Sequence, residues 1–223
     1  MKNQLVKIIS IRHITHNVLH IVTEKPEDVS FTPGQATEIF IDKKGWQNEG
    51  RPFTFTCLPS DDYLEFMIKT YPSHKSMTKE LLTLKEGDGL IVNDIFGAIS
   101  YKGEGIFIAG GAGVTPFISI LRDLKEKNKL GNNKLIFANK TKRDIILEDE
   151  FNEMLGENFI NILSDEKTEG YAHGRVSEDI IKKNADLPNT IFYLCGPPPM
   201  MDAVLKQLKQ LNVGAKKIVT EAF

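Results

Sequence analysis

The chain has 223 residues, of which 41% are hydrophobic and 26% charged, with a formal net charge of -2. This length allows one large domain or two of about 100 residues. The composition is typical of a soluble globular protein, and the charge excludes a bulk attraction to nucleic acid. No apolar run approaches the ~20 residues that span a bilayer. Because Lys7, Arg12 and His13 interrupt the first apolar stretch, we expect no signal peptide and a cytoplasmic location.

Cysteine is rare in this sequence. Cys57 and Cys195 are the two cysteines of the chain, whereas a cysteine-bound iron–sulfur cluster usually takes four thiolates. The sequence has no zinc-ligand spacing, and its histidines form no metal-binding pattern. We therefore expect no metal site and no internal iron–sulfur relay.

The first half of the chain consists of short strand-like runs separated by turn residues. Apolar and polar residues alternate clearly in 37–42 and 64–69, and Pro33-Gly34 marks a turn. One helix is predicted, at 78–84. This pattern predicts an antiparallel six-stranded β-barrel over residues 1–99. Its strands are predicted at 6–14, 18–23, 36–41, 53–57, 63–69 and 90–93.

The second half alternates apolar runs with helix-length segments. This repeated strand–helix order predicts an α/β domain over residues 100–223, with a five-stranded parallel sheet covered by helices. The strands are predicted at 105–109, 135–138, 159–163, 190–195 and 217–220, and the helices at 116–127, 147–155, 177–183 and 199–210.

A glycine-rich turn follows the first strand of the second half. It contains Gly111 and Gly113, and it leads into a helix for which Thr115 is the predicted N-cap and Pro116 the first residue. Glycines allow close approach of the backbone, and a helix N-terminus attracts phosphate. The turn indicates a diphosphate-bearing cofactor. Pro116 stands where the usual Gly-x-Gly-x-x-Gly pattern has its third glycine, so a tight turn without a ligand is the alternative.

Two further clusters stand at strand ends. Cys195-Gly196-Pro197 ends a buried strand, at the edge where open parallel sheets bind ligands. The alternative is a small buried cysteine followed by a stiff loop. In the first half, Arg51-Pro52-Phe53-Thr54 offers a phosphate-binding cation, an aromatic ring and a hydroxyl group. Taken alone, that motif fits an edge strand with an exposed arginine and a core phenylalanine better than a binding site.

In this order and spacing, the three motifs resemble the ferredoxin–NADP reductase superfamily, from Pro33 to the end of the chain. The resemblance implies a flavin-binding barrel followed by a nicotinamide dinucleotide-binding domain. It also implies an NAD(P)H-dependent flavoprotein that passes electrons through FAD to an external one-electron carrier.

The resemblance also implies roles for residues of the barrel. Arg51 would bind the flavin phosphate, Phe53 would pack on the isoalloxazine ring, and Thr54 would hydrogen-bond N5, which receives hydride. The other residues assigned to FAD are Pro52, Met67, Ile68, Lys69, Lys75, Ser76, Met77 and Thr78. The last four stand where the family has a Gly-x-x-Ser/Thr element at the pyrophosphate, and Lys75 replaces its glycine.

In the second domain, the resemblance assigns Gly111, Gly113, Thr115 and Pro116 to the nicotinamide cofactor, with its pyrophosphate at this turn. Cys195, Gly196 and Pro197 would position the nicotinamide against the flavin. Thr54, Cys195, Glu221 and Phe223 are the implied catalytic residues. The terminal Phe223 would cover the flavin face and move aside for hydride transfer.

The choice between NADPH and NADH depends on cations near the 2′-phosphate. Lys140 follows the second strand of the predicted parallel sheet, where NADP-using relatives often have an arginine, and Arg175 resembles a second cation. This favours NADPH. The alternative is that Lys140, Lys142 and Arg143 form an ordinary solvated turn.

The predicted electron acceptor is a ferredoxin or a flavodoxin, because the chain has no cluster of its own. Two alternatives stay open. The chain could reduce free flavin or ferric chelates, or it could be a flavin-binding electron-transfer subunit of a larger complex.

Overall fold

A computed structural model describes residues 3–73, 76–187 and 189–221. Contacts within it divide the chain into two units. The first unit comprises Met1–Gly97 and Thr115–Asp123, and the second comprises Ala98–Val114 and Leu124–Phe223. No helix among the described residues is both long enough and apolar enough to cross a membrane.

The described part of the first unit contains a six-stranded sheet. Its strands are β1 (Gln4–Thr15), β2 (Val18–Glu24), β3 (Ala36–Ile41), β4 (Arg51–Thr54), β5 (Tyr63–Lys69) and β6 (Gly89–Phe96). Their order is β4-β3-β6-β1-β2-β5, and every neighbouring pair is antiparallel. The predicted six-stranded antiparallel architecture is therefore confirmed.

Alternation along the strands builds the core of the barrel. In β3, Thr37, Ile39 and Ile41 are fully buried, while the intervening side chains are half-exposed. The sequence predicts a strand over 53–57, but β4 ends at Thr54. Beyond Thr54 the backbone pairs with β5 instead of β3. The Thr56 amide donates to the Glu65 carbonyl on β5 at 2.9 Å. That bond joins the end of β4 to the opposite edge of the sheet.

One short helical segment lies inside the first unit. The sequence predicts a single helix over 78–84, whereas the chain forms α1 (Met77–Glu80) and then a 3₁₀ turn (Leu81–Thr83). Ser76 caps α1, because its hydroxyl accepts a hydrogen bond from the Lys79 amide at 3.4 Å. Met77 and Leu81 anchor this segment in the barrel core.

The described part of the second unit contains a six-stranded parallel sheet. Its strands are β7 (Gly105–Gly110), β8 (Lys134–Asn139), β9 (Phe159–Leu163), β10 (Ala172–His173), β11 (Ile191–Cys195) and β12 (Ile218–Thr220). They lie in the order β10-β9-β8-β7-β11-β12. The sequence predicts five strands, and the sheet has a sixth, the short β10, which pairs with β9. Two exposed residues carry no strand-like pattern, so the sequence gives no sign of β10.

Four helices accompany this sheet in the described residues: α2 (Thr115–Glu126), α3 (Glu148–Leu155), α4 (Glu178–Asn184) and α5 (Pro198–Gln210). Every residue of β7 is buried, as expected for a central parallel strand. Helix α2 begins at Thr115, one residue before the predicted start. Its residues to Asp123 cluster with the first unit, and its last turn clusters with the second.

Candidate functional site

The glycine-rich turn and the cysteine–glycine turn pack together in the second unit. They follow β7 and β11, which pair in parallel with Cys195 opposite Ala109. A Cβ on Gly113 would lie 2.6 Å from the Cys195 carbonyl carbon and 2.7 Å from the Gly196 Cα. Because these are backbone atoms, no side-chain movement could relieve the clash. Glycine at position 113 is therefore required for this approach.

The same turn ends at a helix N-terminus. Gly111 has a φ of 52°, a left-handed conformation that favours glycine, and the 3₁₀ turn Gly111–Val114 leads directly into α2. The N-terminus of a helix carries a partial positive charge. A glycine-lined helix start at the carboxyl ends of parallel strands fits a dinucleotide pyrophosphate.

Cys195 and Glu221 lie near each other in this unit. Thr220 pairs with Leu194, so the chain beyond β12 runs beside the end of β11. Burial, and secondarily the Glu221 carboxylate, raise the pKa of the Cys195 thiol to about 12. The thiol is therefore protonated at neutral pH. Glu221 Oε1 accepts a hydrogen bond from the Ala98 amide at 3.2 Å. Phe223, also assigned to catalysis, lies outside the described residues.

In the first unit, β4 presents the residues assigned to the flavin. Arg51 and Pro52 are exposed, while Phe53 and Thr54 are half-buried. The Arg51 guanidinium donates to the neighbouring Gly50 carbonyl at 2.6 Å, which leaves its other N–H donors in an exposed position. An exposed guanidinium next to a half-buried ring and hydroxyl group fits a ligand with a phosphate and a planar ring.

Other residues assigned to FAD differ in their surroundings. Ile68 and Met77 belong to the barrel core, so only their backbone groups can serve a ligand. Met67 is also buried, whereas Lys69 is half-exposed at the end of β5. The Ser76 and Thr78 hydroxyls lie 3.0 Å apart at the start of α1, within hydrogen-bonding distance. Lys75 lies outside the described residues.

Charges of both signs lie beyond β8 and β9. Lys140 and Arg175 are exposed. The Lys140 carbonyl accepts from the Asp165 amide at 2.9 Å, which places this acidic residue beside it. Glu166 accepts from the Lys142 amide at 2.9 Å, and its bond from the Thr168 hydroxyl lowers the pKa of its carboxyl group. The Glu166 carboxylate therefore lies close to Lys142, and an acidic residue also follows β9 beside the Lys140 backbone.

Sequence reasoning missed the buried amide of Asn139 at the end of β8. The residue is 7% exposed, and neither its Oδ1 nor its Nδ2 has a hydrogen-bond partner among the described residues. An unpaired buried amide is costly. The available signal was a polar residue ending an otherwise apolar strand, beside the predicted cofactor turn.

Sequence reasoning also missed a buried ionic network around Glu65 in the first unit. The residue is 6% exposed. Its Oε1 accepts from the Thr56 hydroxyl at 2.6 Å and from Arg122 at 2.7 Å, and its Oε2 accepts from His20 Nε2 at 2.9 Å. Burial by itself raises the pKa of Glu65, but His20, Arg122 and Thr56 outweigh it and lower that pKa to about 2. Glu65 is therefore a carboxylate at neutral pH.

Two domain families match successive parts of the chain. Residues 3–101 match the FAD-binding domain family. Residues 107–206 match the oxidoreductase NAD-binding domain family. Together these matches confirm the cofactor pair expected from the sequence, which is FAD with a nicotinamide nucleotide.

Related proteins are reductases. The chain is 31% identical over 222 residues to NADH-cytochrome b5 reductase 1 from Emericella nidulans, covering 89% of this chain and 71% of that protein. It is 30% identical over 236 residues to the reductase component of propane 2-monooxygenase from Gordonia sp. (strain TY-5), covering 97% of this chain and 66% of that protein. That component and four similar relatives are longer, and the chain spans 59–66% of their length.

The fold has a close counterpart among solved structures. A ferredoxin NADP+ reductase from Neisseria gonorrhoeae with bound FAD and NADP superimposes with a TM-score of 0.87 at 20% sequence identity. The match covers 99% of this chain and 98% of that one. At this identity the likeness is one of fold.

Proposed function

The chain belongs to the ferredoxin–NADP reductase superfamily, and on that premise we propose that it is an NADH-dependent flavoprotein reductase with a separate electron acceptor. The observation that carries this proposal is the packing of Gly113 against the Cys195–Gly196 backbone at the start of α2. A backbone approach of this kind, at the carboxyl ends of parallel strands, is typical of turns that bind a dinucleotide pyrophosphate. The proposal also assigns FAD to the residues of β4 in the first unit.

FAD, when bound, accepts two electrons from a reduced nicotinamide and releases them one at a time. The protein supplies binding and orientation. Arg51 would bind the FAD phosphate, Phe53 would pack on the flavin ring, and Thr54 would hydrogen-bond it. The protonated Cys195 thiol would pack against the nicotinamide as a small neutral group, because its raised pKa rules out a thiolate nucleophile at neutral pH.

NADH is the donor that the acidic residues beyond β9 favour. Asp165 lies beside the Lys140 backbone, and Glu166 binds the Lys142 amide. A carboxylate accepts hydrogen bonds from a free ribose diol and repels a 2′-phosphate. This inverts the preference for NADPH that Lys140 and Arg175 suggest when the sequence is considered alone. The name of the related NADH-cytochrome b5 reductase 1 agrees with this choice.

The proposed acceptor is a one-electron carrier protein, a ferredoxin or a flavodoxin. The 223 residues contain two cysteines, too few to hold a cysteine-bound iron–sulfur cluster. Electrons that leave the flavin therefore have no cluster within these residues to enter. The related propane 2-monooxygenase component bears a name that describes a reductase serving another protein, which supports the same division of labour.

Anaerobic titration of the purified, FAD-loaded protein tests the proposal. We expect NADH to bleach the flavin absorbance, with NADPH less effective at equal concentration. Failure of both nucleotides to bleach the flavin would refute the proposal. In a second step, steady-state rates with ferredoxin and flavodoxin are compared with rates on free flavin and ferric citrate. Faster turnover of the small molecules would favour the free flavin or ferric-chelate reductase alternative.

A further inference from the structure

The polar groups of Thr56, two residues beyond β4, all bind Glu65 or its ion-pair partner. The Thr56 amide donates to the Glu65 carbonyl at 2.9 Å, and the Thr56 hydroxyl donates to Glu65 Oε1 at 2.6 Å. The Thr56 carbonyl accepts from the Arg122 guanidinium at 2.8 Å. That guanidinium also donates to Glu65 Oε1, at 2.7 Å. Glu65 therefore holds Thr56 through two direct hydrogen bonds and, through Arg122, by a third.

These contacts are shielded from solvent. Thr56 is 0% exposed and Glu65 is 6% exposed. His20 Nε2 lies 2.9 Å from the other carboxylate oxygen, Oε2. Leaving a buried carboxylate or hydroxyl group without its partner is costly, so displacement of Thr56 from Glu65 is strongly disfavoured. The network thus favours a single position of the backbone at Thr56.

The carboxylate lies on the outer face of the barrel, the face turned away from the core. Leu64 and Phe66 belong to the core, and side chains alternate along a strand, so Glu65 points to the opposite face. Met67, two positions further along β5, shares that face. It is one of the residues assigned to FAD. Glu65 is therefore about 7 Å along the strand from a residue of the flavin site.

Thr54, which is also assigned to the flavin, points to the outer face as well. Phe53 packs against the barrel core and Phe55 belongs to it, so the side chain between them points away from the core. Thr56 points the same way, because its hydroxyl reaches the Glu65 carboxylate. The half-buried Thr54 thus precedes by two residues a threonine whose position is fixed. Fixing the backbone at Thr56 restricts the positions that the Thr54 hydroxyl can take.

We propose that Glu65 is a positioning residue for the flavin. By binding Thr56, its carboxylate holds the end of β4 so that the Thr54 hydroxyl can hydrogen-bond the flavin ring. Glu65 acts through Thr56 and does not itself contact the flavin. The inference rests on the proposed function, because it requires that FAD binds at β4.

A matched control lies on β2 of the same unit. Thr23, like Thr56, is 0% exposed, and its hydroxyl donates to the Glu24 carbonyl at 3.0 Å. It pairs with the core residues Ile8 and Leu64 of the neighbouring strands, which are not assigned to FAD. Thr23→Val removes a buried hydroxyl group just as Thr56→Val does. It should therefore leave the affinity for FAD unchanged.

The test measures the Kd of FAD for the FAD-loaded protein, from the free FAD that passes an ultrafiltration membrane over a dilution series. The variants are Thr56→Val, Glu65→Gln and the control Thr23→Val. Thr56→Val keeps the shape of the side chain, and we expect its FAD Kd to rise about threefold to tenfold. Glu65→Gln also removes the charge that binds Arg122, and we expect its FAD Kd to rise about tenfold.

A double-mutant cycle with Thr54→Val separates positioning from a purely structural role. If Thr56 acts by placing the Thr54 hydroxyl, its substitution has little left to change once that hydroxyl is gone. In the Thr54→Val background we therefore expect Thr56→Val to raise the FAD Kd by less than about twofold. An equal rise in both backgrounds would overturn the inference, and so would a wild-type Kd in Thr56→Val.

The two levels of the argument fail in different ways. If Glu65→Gln does not fold, Thr56→Val and its cycle decide the inference. Failure of the wild-type protein to retain FAD would refute the proposed function itself. A wild-type protein that binds FAD, together with variants of the same Kd, would overturn the positioning role alone.

Discussion

Lowering the pH should reduce the free energy of unfolding, and protonation of Glu65 should account for a specific part of that reduction. The folded-state pKa of this carboxyl group is about 2, below its ordinary value of 4.5. A depressed pKa contributes stability that is fully present above the unfolded-state pKa and is lost as pH falls towards the folded-state pKa. The difference between these two pKa values corresponds to about 3 kcal/mol of unfolding free energy at neutral pH. About 2 kcal/mol of this contribution should be lost by about pH 3. Because Glu65 is buried, solvent screens little of this contribution.

The perturbation that isolates this effect is Glu65→Gln, which keeps the shape of the side chain and removes its titration. Free energies of unfolding are measured with urea and circular dichroism from about pH 7 down to about pH 3. Other carboxyl groups titrate alike in both proteins, so the difference between the two curves reports Glu65. Wild type should exceed the variant by the largest margin at neutral pH, with the margin shrinking in acid.

Glu153→Gln serves as the control for a surface carboxylate. The pKa of Glu153 is also lowered, by its hydrogen bond from Lys125, but its side chain is 76% exposed. Its acid profile should follow that of wild type. If the margin between wild type and Glu65→Gln were independent of pH, the pKa of Glu65 would not be lowered in the folded protein, and the reasoning would be refuted.

Three further outcomes are expected. Gly113→Ala should abolish the binding of ADP-ribose, measured by isothermal titration calorimetry, while FAD content is kept, because the added Cβ would lie 2.6 Å from a backbone carbon. The control Gly214→Ala, whose Cβ would have nothing within 4 Å, should bind ADP-ribose normally. Neither Cys57 nor Cys195 should react with a thiol reagent at neutral pH until the protein is unfolded, because burial raises both pKa values to about 12; rapid labelling of the native protein would contradict this. Asp165→Asn should raise kcat/KM for NADPH relative to NADH about threefold to tenfold, and an unchanged ratio would count against Asp165 as the source of the preference.

Much of the fold follows from local patterns. The alternation in 37–42 and 64–69 and the apolar run at 105–109 predict β3, β5 and β7 closely, because each pattern reflects which faces of the strand are covered. The glycine spacing likewise predicts the turn before α2, since close backbone approach excludes a Cβ. The two-residue β10 escapes prediction, because its pairing depends on β9 rather than on its own side chains.

The Glu65 network shows what local pattern cannot supply. In an alternating strand, a glutamate opposite core residues is read as solvent-exposed, yet Glu65 is buried beneath side chains of α2. Arg122 is 57 positions away, and nothing in its local sequence identifies its partner. The sequence by itself determined the strand and helix types and the two glycine-containing turns, because those depend on near neighbours. Only the tertiary structure decided that a helix covers the outer face of β5, because that burial depends on a contact between distant segments.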